Sequence, residues 1–400
     1  MAGTPPNAVP SDPMEVTPAL DPRAALAPGA TGSSASIDAH PARTTSAAGS
    51  DPDAEQMSLR RRLTQPRTIV SLLIPGVIIA VFIGINGQAL ARVPELILNA
   101  NPWLVLAAFL IFYAGFPLRG LRWSILLRGT GMRVPVRDST EIIYLSWLVN
   151  CVVPAKLGDV YRAYLLKINS SASMSATIGT IFTERILDLF TIAMLGLAAG
   201  YWSFRDGLPP AIQVVFGIAI GVMAILALAL FTMRNFGRQI IVALRFLPHQ
   251  VLELYDRFEA GVFGALTLRQ LPGLFVLTGA VWMTEALRLF FVVQALGFAD
   301  VSLGISGAVF VALIGSLLTA VPLSPAGLGI VEAGVIGVLH VAYGVPLPEA
   351  AAIALLDRVI SVFSVIVLGS IAYLVSGKPR GRGRIPQPDR ISATIAPAPA

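Results

Sequence analysis

The residues able to do chemistry are charged groups set among apolar ones. Glu184, Arg185 and Asp188 stand in an apolar run over 174–199, Glu285 and Arg288 in another over 272–296, and Asp357 with Arg358 in a third over 351–375. An ionisable group at the centre of a membrane helix costs about 2.5–3.5 kcal/mol on insertion scales, so each needs a partner or a wet cavity. The i, i+3 spacing of Arg185 and Asp188, repeated by Glu285 and Arg288, puts opposite charges on one helical face, where they can pair. For Glu285 and Arg288, a neutralised pair locking two helices together is as good a reading as a functional one.

Two apolar stretches are broken by groups of a different kind. Asn150, Pro154, Lys156, Gly158, Asp159 and Arg162 interrupt the first, and Ser324, Pro325, Gly327, Gly329 and Glu332 the second. Proline removes a backbone donor and glycine permits close approach, so freed carbonyls and amides become available to a ligand. Glycines beside a helix N-terminus suit an anion such as a phosphate, and Lys156 and Arg162 add charge. Lys156, Asp159 and Arg162 are therefore expected to hold a phosphate, with Glu184, Arg185 and Glu332 balancing charge. Glu332 is the expected partner of a cation or proton.

These residues need elements that place them inside a membrane. The 400 residues are 55% hydrophobic and 13% charged, with mean hydropathy +0.74, against about 25% charged in soluble domains. The net charge of +6 is spread between apolar runs rather than gathered in one patch, which excludes nucleic acid as a partner. Cys151 is the single cysteine, and His40, His249 and His340 are far apart, so no disulfide, metal site or cofactor is expected. Residues 1–66, rich in Ala, Pro, Ser, Thr, Asp and Gly, read as a disordered cytoplasmic tail, and 378–400 as a second. No cleavable signal peptide is apparent.

Spans of about 20 residues are expected from near Thr68 and over about 103–125, 174–199, 211–233, 272–296 and 351–375. Residues 140–155 would reach only about 24 Å at 1.5 Å per residue, and 303–345 is broken in its middle by Pro322, Pro325, Gly327 and Gly329. Basic clusters at 119–137, 156–167, 234–269 and 378–390 alternate with loops at 87–102, 200–210, 297–304 and 344–350 that are nearly free of them. Placing every cluster on the cytoplasmic side puts both termini inside. It makes 140–167 a re-entrant hairpin from the cytoplasm and 303–345 one from outside. The expected fold is an all-α polytopic membrane protein with about six full spans and two opposed re-entrant hairpins, about eight membrane segments in all, over residues 67–377. Residues 237–270 read as a cytoplasmic amphipathic helix on the headgroups.

The two halves repeat. PAKLGDV at 154–160 matches PAGLGIV at 325–331 in five of seven positions, and about thirty residues later ERILDLFTIAMLG (184–196) meets DRVISVFSVIVLG (357–369). Three crossings separate the copies, which inverts the second, the architecture of secondary transporters. GLGIVEAG at 327–334 lacks the glycine spacing and the Lys-Ser/Thr of a nucleotide loop.

RGLRW (119–123), N-x3-P-x3-G-D-x2-R (150–162), E-R-x2-D (184–188), P-x-G-x-G-x2-E (325–332) and D-R (357–358) together resemble the lysylphosphatidylglycerol synthase transmembrane family, also called flippase-like, over about residues 66–377. The resemblance implies a lipid translocase of the cell (inner) membrane rather than an enzyme, moving an anionic phospholipid or a polyprenyl-linked lipid between leaflets. Better-known relatives carry a soluble aminoacyl-transferase domain, which is not in this sequence, so a separate lipid-modifying or envelope-biosynthesis enzyme is an expected partner. An intramembrane transferase on a polyprenyl-linked donor and a non-transporting envelope scaffold are the alternatives. The expected substrate-binding set is Asn150, Pro154, Lys156, Gly158, Asp159, Arg162, Glu184, Arg185, Asp188, Pro325, Gly327, Gly329, Glu332, Asp357 and Arg358. Gly327 and Ile330 replace the lysine and aspartate of the first copy, so the two tips cannot bind equivalently.

Overall fold

A computed structural model describes residues 84, 87–88, 90–153, 156–170, 172–204, 207, 210–243, 249–267, 269–299, 301, 303–319, 324–383 and 385. The tail expected over 1–66, most of the first apolar span and Pro154 lie outside these. The described residues are helical, without strands. The helices are α1 (Val93–Leu98), α2 (Pro102–Gly129), α3 (Val136–Val152), α4 (Leu157–Asn169), α5 (Met174–Ser203), α6 (Pro210–Ala243), α7 (His249–Gly264), α8 (Leu271–Leu296), α9 (Ile305–Leu318), α10 (Ile330–Tyr343), α11 (Leu347–Arg358) and α12 (Ser364–Val375). A π-helical turn, Val359–Phe363, joins α11 to α12 without a break.

Local sequence sets the ends. Asn101 caps α2 by accepting from the backbone N–H of Trp103 at 3.0 Å, with Pro102 at the first helical position, where its missing donor costs nothing. Gly297, at φ +62, ends α8, a left-handed position that glycine takes without a Cβ clash.

Among the described residues, five stretches are long and apolar enough to cross a membrane: Pro102–Gly129, Phe216–Gly237, Leu271–Leu296, Pro325–Tyr343 and Leu347–Val375. The polar and apolar surfaces are inverted relative to a protein in water. Trp103, Val276, Val341 and Leu374 are exposed, while Arg119, Arg122 and Arg162 are buried. Hydrocarbon on the outside makes that arrangement stable, because a charge facing lipid is the costlier alternative.

α2 and α8 run antiparallel along their whole length. Asn101 donates its backbone N–H to the Ala295 carbonyl at one end, and Arg119 reaches Glu285 midway. Close approach elsewhere relies on small residues. A Cβ on Gly179 of α5 would lie 2.5 Å from the Phe258 carbonyl oxygen of α7, and one on Gly261 would lie 2.4 Å from the Ala176 carbonyl oxygen.

The short helices gather at opposite ends of α5, which at 30 residues is about 45 Å long. At the α3–α4 pair, Asp138 near the start of α3 accepts from Lys378 Nζ at 2.6 Å, and Asn169 at the end of α4 donates to the Lys378 carbonyl at 2.9 Å. Both free ends of this pair thus meet the chain just beyond α12. At the α9–α10 pair, Ser306 near the start of α9 lies 3.0 Å from Ser203 at the end of α5. Tyr343, the last residue of α10, has its ring 5.3 Å from that of Phe204, just beyond α5.

Gly158 shows why the first break needs glycine. Its N–H donates to Asn150 Oδ1 at 2.8 Å, and a Cβ there would sit 2.1 Å from the Ser146 carbonyl oxygen. Gly158→Ala is expected to lower stability by about 1–3 kcal/mol, the usual cost of overpacking. A thermal midpoint in detergent equal to wild type would disprove this contact.

Three expectations are corrected. Of the helix expected over 237–270, the first part belongs to α6, which runs to Ala243, and α7 covers His249–Gly264, with 244–248 outside the described residues. The loop at 87–102 contains α1, and the last membrane helix begins at Leu347, inside the loop expected over 344–350. The tail expected from 378 is folded at its start. Lys378 is 4% exposed, and Ile385, also 4% exposed, donates its N–H to the Asn169 carbonyl at 2.8 Å.

Candidate functional site

The two broken segments, α5, α8 and α11 enclose a cavity of about 280 Å³. Lys156 and Asp159 reach it from the first break, Ser324 and Gly327 from the second, Arg185 and Asp188 from α5, Trp282, Glu285 and Arg288 from α8, and Asp357 with Arg358 from α11.

The backbone at the two breaks is alike. Lys156 has φ +51 and Gly327, its match in the repeated heptad, φ +70. Such angles suit glycine and cost other residues on the order of 1–2 kcal/mol. Ala326 also has φ +51, so each break holds a non-glycine residue in a conformation that only its surroundings can maintain.

The ion pairs around the cavity are closed and interlinked. Arg162 of α4 donates two hydrogen bonds to Glu184, at 2.7 and 3.1 Å, and lies 3.9 Å from the centre of the Trp123 ring. Arg122 of α2 reaches Asp188 at 2.6 Å and Glu184 at 3.1 Å. Arg185 holds Asp159 through two bonds, at 3.0 and 3.1 Å, and Asp188 at 3.2 Å. The Trp282 indole donates to Asp188 at 3.1 Å. Across the cavity, Glu285 is shared by Arg119 at 2.5 Å and Arg288, which also grips Asp357 at 2.7 Å. Arg358 lies 3.0 Å from Glu332, whose other oxygen accepts the Gly329 N–H at 2.6 Å.

The pairing repeats between halves. Arg185 and Arg358 occupy the same place in the duplicated ERILDLF and DRVISVF runs. Each holds a carboxylate at the third position of the short helix after the break, Asp159 in α4 and Glu332 in α10.

The charge around the cavity does not cancel. Arg119, Arg122, Arg162, Arg185, Arg288 and Arg358 each lie within 4 Å of at least one of Asp159, Glu184, Asp188, Glu285, Glu332 and Asp357. Six guanidiniums face six carboxylates. The Lys156 carbonyl accepts from the Asp159 N–H at 3.2 Å, while its ammonium makes no hydrogen bond or ion pair among the described residues and lines the cavity. It is the cation left over from the six pairs, and a cation at membrane depth needs a partner or a wet cavity.

Several expected roles are redistributed. Arg162, 1% exposed, and Glu184, 2% exposed, are committed to each other behind the cavity wall, so Arg162 cannot hold a ligand there. Glu332 is the partner of Arg358 and caps α10 rather than waiting for a free cation. Asn150 and Gly158 are bonded to each other. Pro325 lies buried in the short turn of the second break, Gly329 caps α10, and Gly327 lines the cavity. Asn150, Lys156, Asp159, Arg185, Asp188, Asp357 and Arg358 also line it.

Arg119 and Arg122 were absent from the expected site. They lie within the basic cluster assigned to the cytoplasmic side at 119–137, yet are 4% and 1% exposed. Their i, i+3 spacing inside an apolar run was the available signal. Glu285 and Arg288 bridge helices as the structural reading had it, and they also face the cavity.

A helical bundle with apolar faces outward and a charged cavity at the junction of two broken segments defines a multi-pass membrane protein. The chain belongs to the family of the lysylphosphatidylglycerol synthase TM region, whose model matches residues 68–369. It is 37% identical over 228 residues to a UPF0104 membrane protein of Methanocaldococcus jannaschii, covering 57% of this chain and 93% of that protein. A UPF0104 membrane protein of Methanothermobacter thermautotrophicus is 29% identical over 287 residues, covering 67% and 82%. Glycosyltransferase AglD of Haloferax volcanii is 28% identical over 356 residues, covering 80% of this chain and 56% of AglD.

Proposed function

We propose that the protein is a lipid translocase that passes the headgroup of an anionic phospholipid or polyprenyl-linked lipid through the cavity while the chains stay in hydrocarbon. The observation that carries this reading is the surplus charge on Lys156, in a cavity whose other charges are matched. An anionic headgroup beside Lys156 and the partly exposed Arg185 would neutralise it. The pairs that line the cavity present alternative partners to a moving phosphate without any charge being stranded.

α3–α4 and α9–α10 act in this reading as re-entrant hairpins from opposite faces. Support comes from the lengths of α3, α4 and α9, 17, 13 and 14 residues, each below the roughly 20 needed to span, and from the gathering of the free ends of both pairs at opposite ends of α5. The repeated Arg185–Asp159 and Arg358–Glu332 pairs support an inverted repeat, with the binding site between its copies. Both termini are then cytoplasmic, in the cell's inner membrane. Residues 67–377 form the transporting domain, and a separate lipid-modifying enzyme supplies its substrate.

The name of AglD favours a second reading, a transferase acting on a membrane-bound donor. That reaction needs a base beside its acceptor; each of the six carboxylates around the cavity already holds a guanidinium, so that role would fall to Lys156, which the translocase reading uses to hold the headgroup.

The test is leaflet-resolved lipid transport in proteoliposomes, across a panel of anionic and polyprenyl phosphate lipids. Wild type should move at least one of them. Lys156→Ala should slow it by about 10–100-fold, equivalent to losing one charged hydrogen bond of about 1.5–3 kcal/mol. If wild type moves none of the panel, translocation is refuted.

A further inference from the structure

An apolar groove runs on from the cavity between α5, α6 and α9. The two share Leu189, Ile192 and Leu317 as lining, and the groove continues past Gly196, Phe216, Phe310 and Leu313. Every residue lining it is apolar. Ile218 of α6 also lines it and is 57% exposed, so the groove lies open to the lipid-facing surface. At about 60 Å³, several times the roughly 10–15 Å³ that one water needs on the same measure, it is a narrow apolar slot that can seat part of a hydrocarbon chain.

We propose that this groove holds a chain of the lipid whose phosphate sits beside Lys156, and that the lipid is a phosphodiester. The proposal rests on the headgroup reading above and narrows it. Six guanidiniums, six carboxylates and one ammonium leave one positive charge, which one phosphodiester neutralises. A polar cavity continuous with an apolar slot matches a molecule whose charged end and hydrocarbon end are joined at one point. In a bilayer the chain gains nothing from leaving lipid for a protein surface as apolar as itself, so the groove works by packing and alignment. It keeps the chain threaded between α5 and α6 while the headgroup moves.

Gly196 provides the means to test this. A Cβ there would meet only Leu313 Cδ1, at 4.0 Å, so a large side chain can fill the groove without displacing backbone. The full-length protein is placed in phosphatidylcholine nanodiscs with a methyl prenyl phosphodiester carrying a diazirine in mid-chain, and labelled positions are mapped by mass spectrometry. Labelling at Ile192, Leu313 or Leu317 should exceed that at Val276 and Val367 on the outer surface by about tenfold. Lys156→Ala should reduce the groove signal about tenfold and leave the outer signal unchanged. Gly196→Phe should abolish the groove signal, and Gly196→Ala should keep it. Unlabelled methyl prenyl phosphodiester should compete for the groove signal.

Headgroup binding is read separately, as protection of the Lys156 amine from acylation by dimethyl phosphate, which has no chain. Protection in both wild type and Gly196→Phe, with no preferential groove labelling in wild type, overturns the groove proposal and leaves the headgroup reading standing. Neither protection nor groove labelling overturns both.

Discussion

Lys156→Gly is expected to give a protein that melts at or above the wild-type temperature and moves lipid about 10–100-fold more slowly. The two effects have separate causes. The left-handed backbone at position 156, with φ +51, costs a lysine on the order of 1–2 kcal/mol. Glycine adopts it freely and returns part of that gain through the greater entropy of its unfolded chain, about 0.5–1 kcal/mol. The ammonium, the surplus cation of the cavity, is lost altogether. Lys156→Ala keeps the backbone cost and should be both less stable than the glycine variant and slow. A thermal melt paired with leaflet-resolved transport separates the contributions. If Lys156→Gly transports at the wild-type rate, the charge has no part in moving lipid, whatever its stability.

Glu184→Gln should be the most damaging single change in the charge network. Glu184 is the one described carboxylate within ion-pair distance of Arg162, and it also neighbours Arg122, which keeps Asp188. The amide leaves the Arg162 guanidinium buried without a counter-charge, a loss of about 3–5 kcal/mol against a typical total stability of about 5–15 kcal/mol. The expected result is aggregation on extraction, or a melting transition many degrees lower. Arg162→Met combined with Glu184→Gln removes both charges and should recover most of the loss, giving a double-mutant cycle with a large coupling energy. Additive effects of the two single changes would show that the pair is not coupled as its geometry requires.

The long helices were legible because apolar run length is a one-dimensional property, although α5 is not among the stretches apolar enough to cross and Pro325–Tyr343, expected as part of a hairpin, is. The run expected over 272–296 is α8, Leu271–Leu296, and that over 174–199 is α5 with one further turn. The breaks were legible from Pro154, Pro325 and their glycines, and the repeated heptad pointed to the shared left-handed turn at Lys156 and Gly327. Who pairs with whom was not legible beyond i, i+3. Arg122 and Asp188 are 66 residues apart and Arg119 and Glu285 are 166 apart, and no local spacing joins them. Counting Arg119 and Arg122 as cytoplasmic charges followed from weighing basic residues near a span's end without asking which face of the helix they occupy. Arg162 was assigned to a ligand because a cation beside a broken helix looks available. Its commitment to Glu184 comes from α4 packing on α5, which sequence position alone does not reveal.

The bonds at the start of the second tail restrict how the cavity can open. Lys378 is held to Asp138, Ser376 donates to Glu141 at 2.6 Å, and Asn169 is bonded to the chain at Lys378, Gly383 and Ile385. The outer ends of α3 and α4 and the end of α12 are thereby riveted into one jaw. A motion that exposes the cavity on that side must either carry the three together or undo the rivet. The α9–α10 pair is fastened elsewhere, by Ser306 to Ser203 of α5 and by Glu332 to Arg358 of α11, so the two pairs are tied to different parts of the bundle.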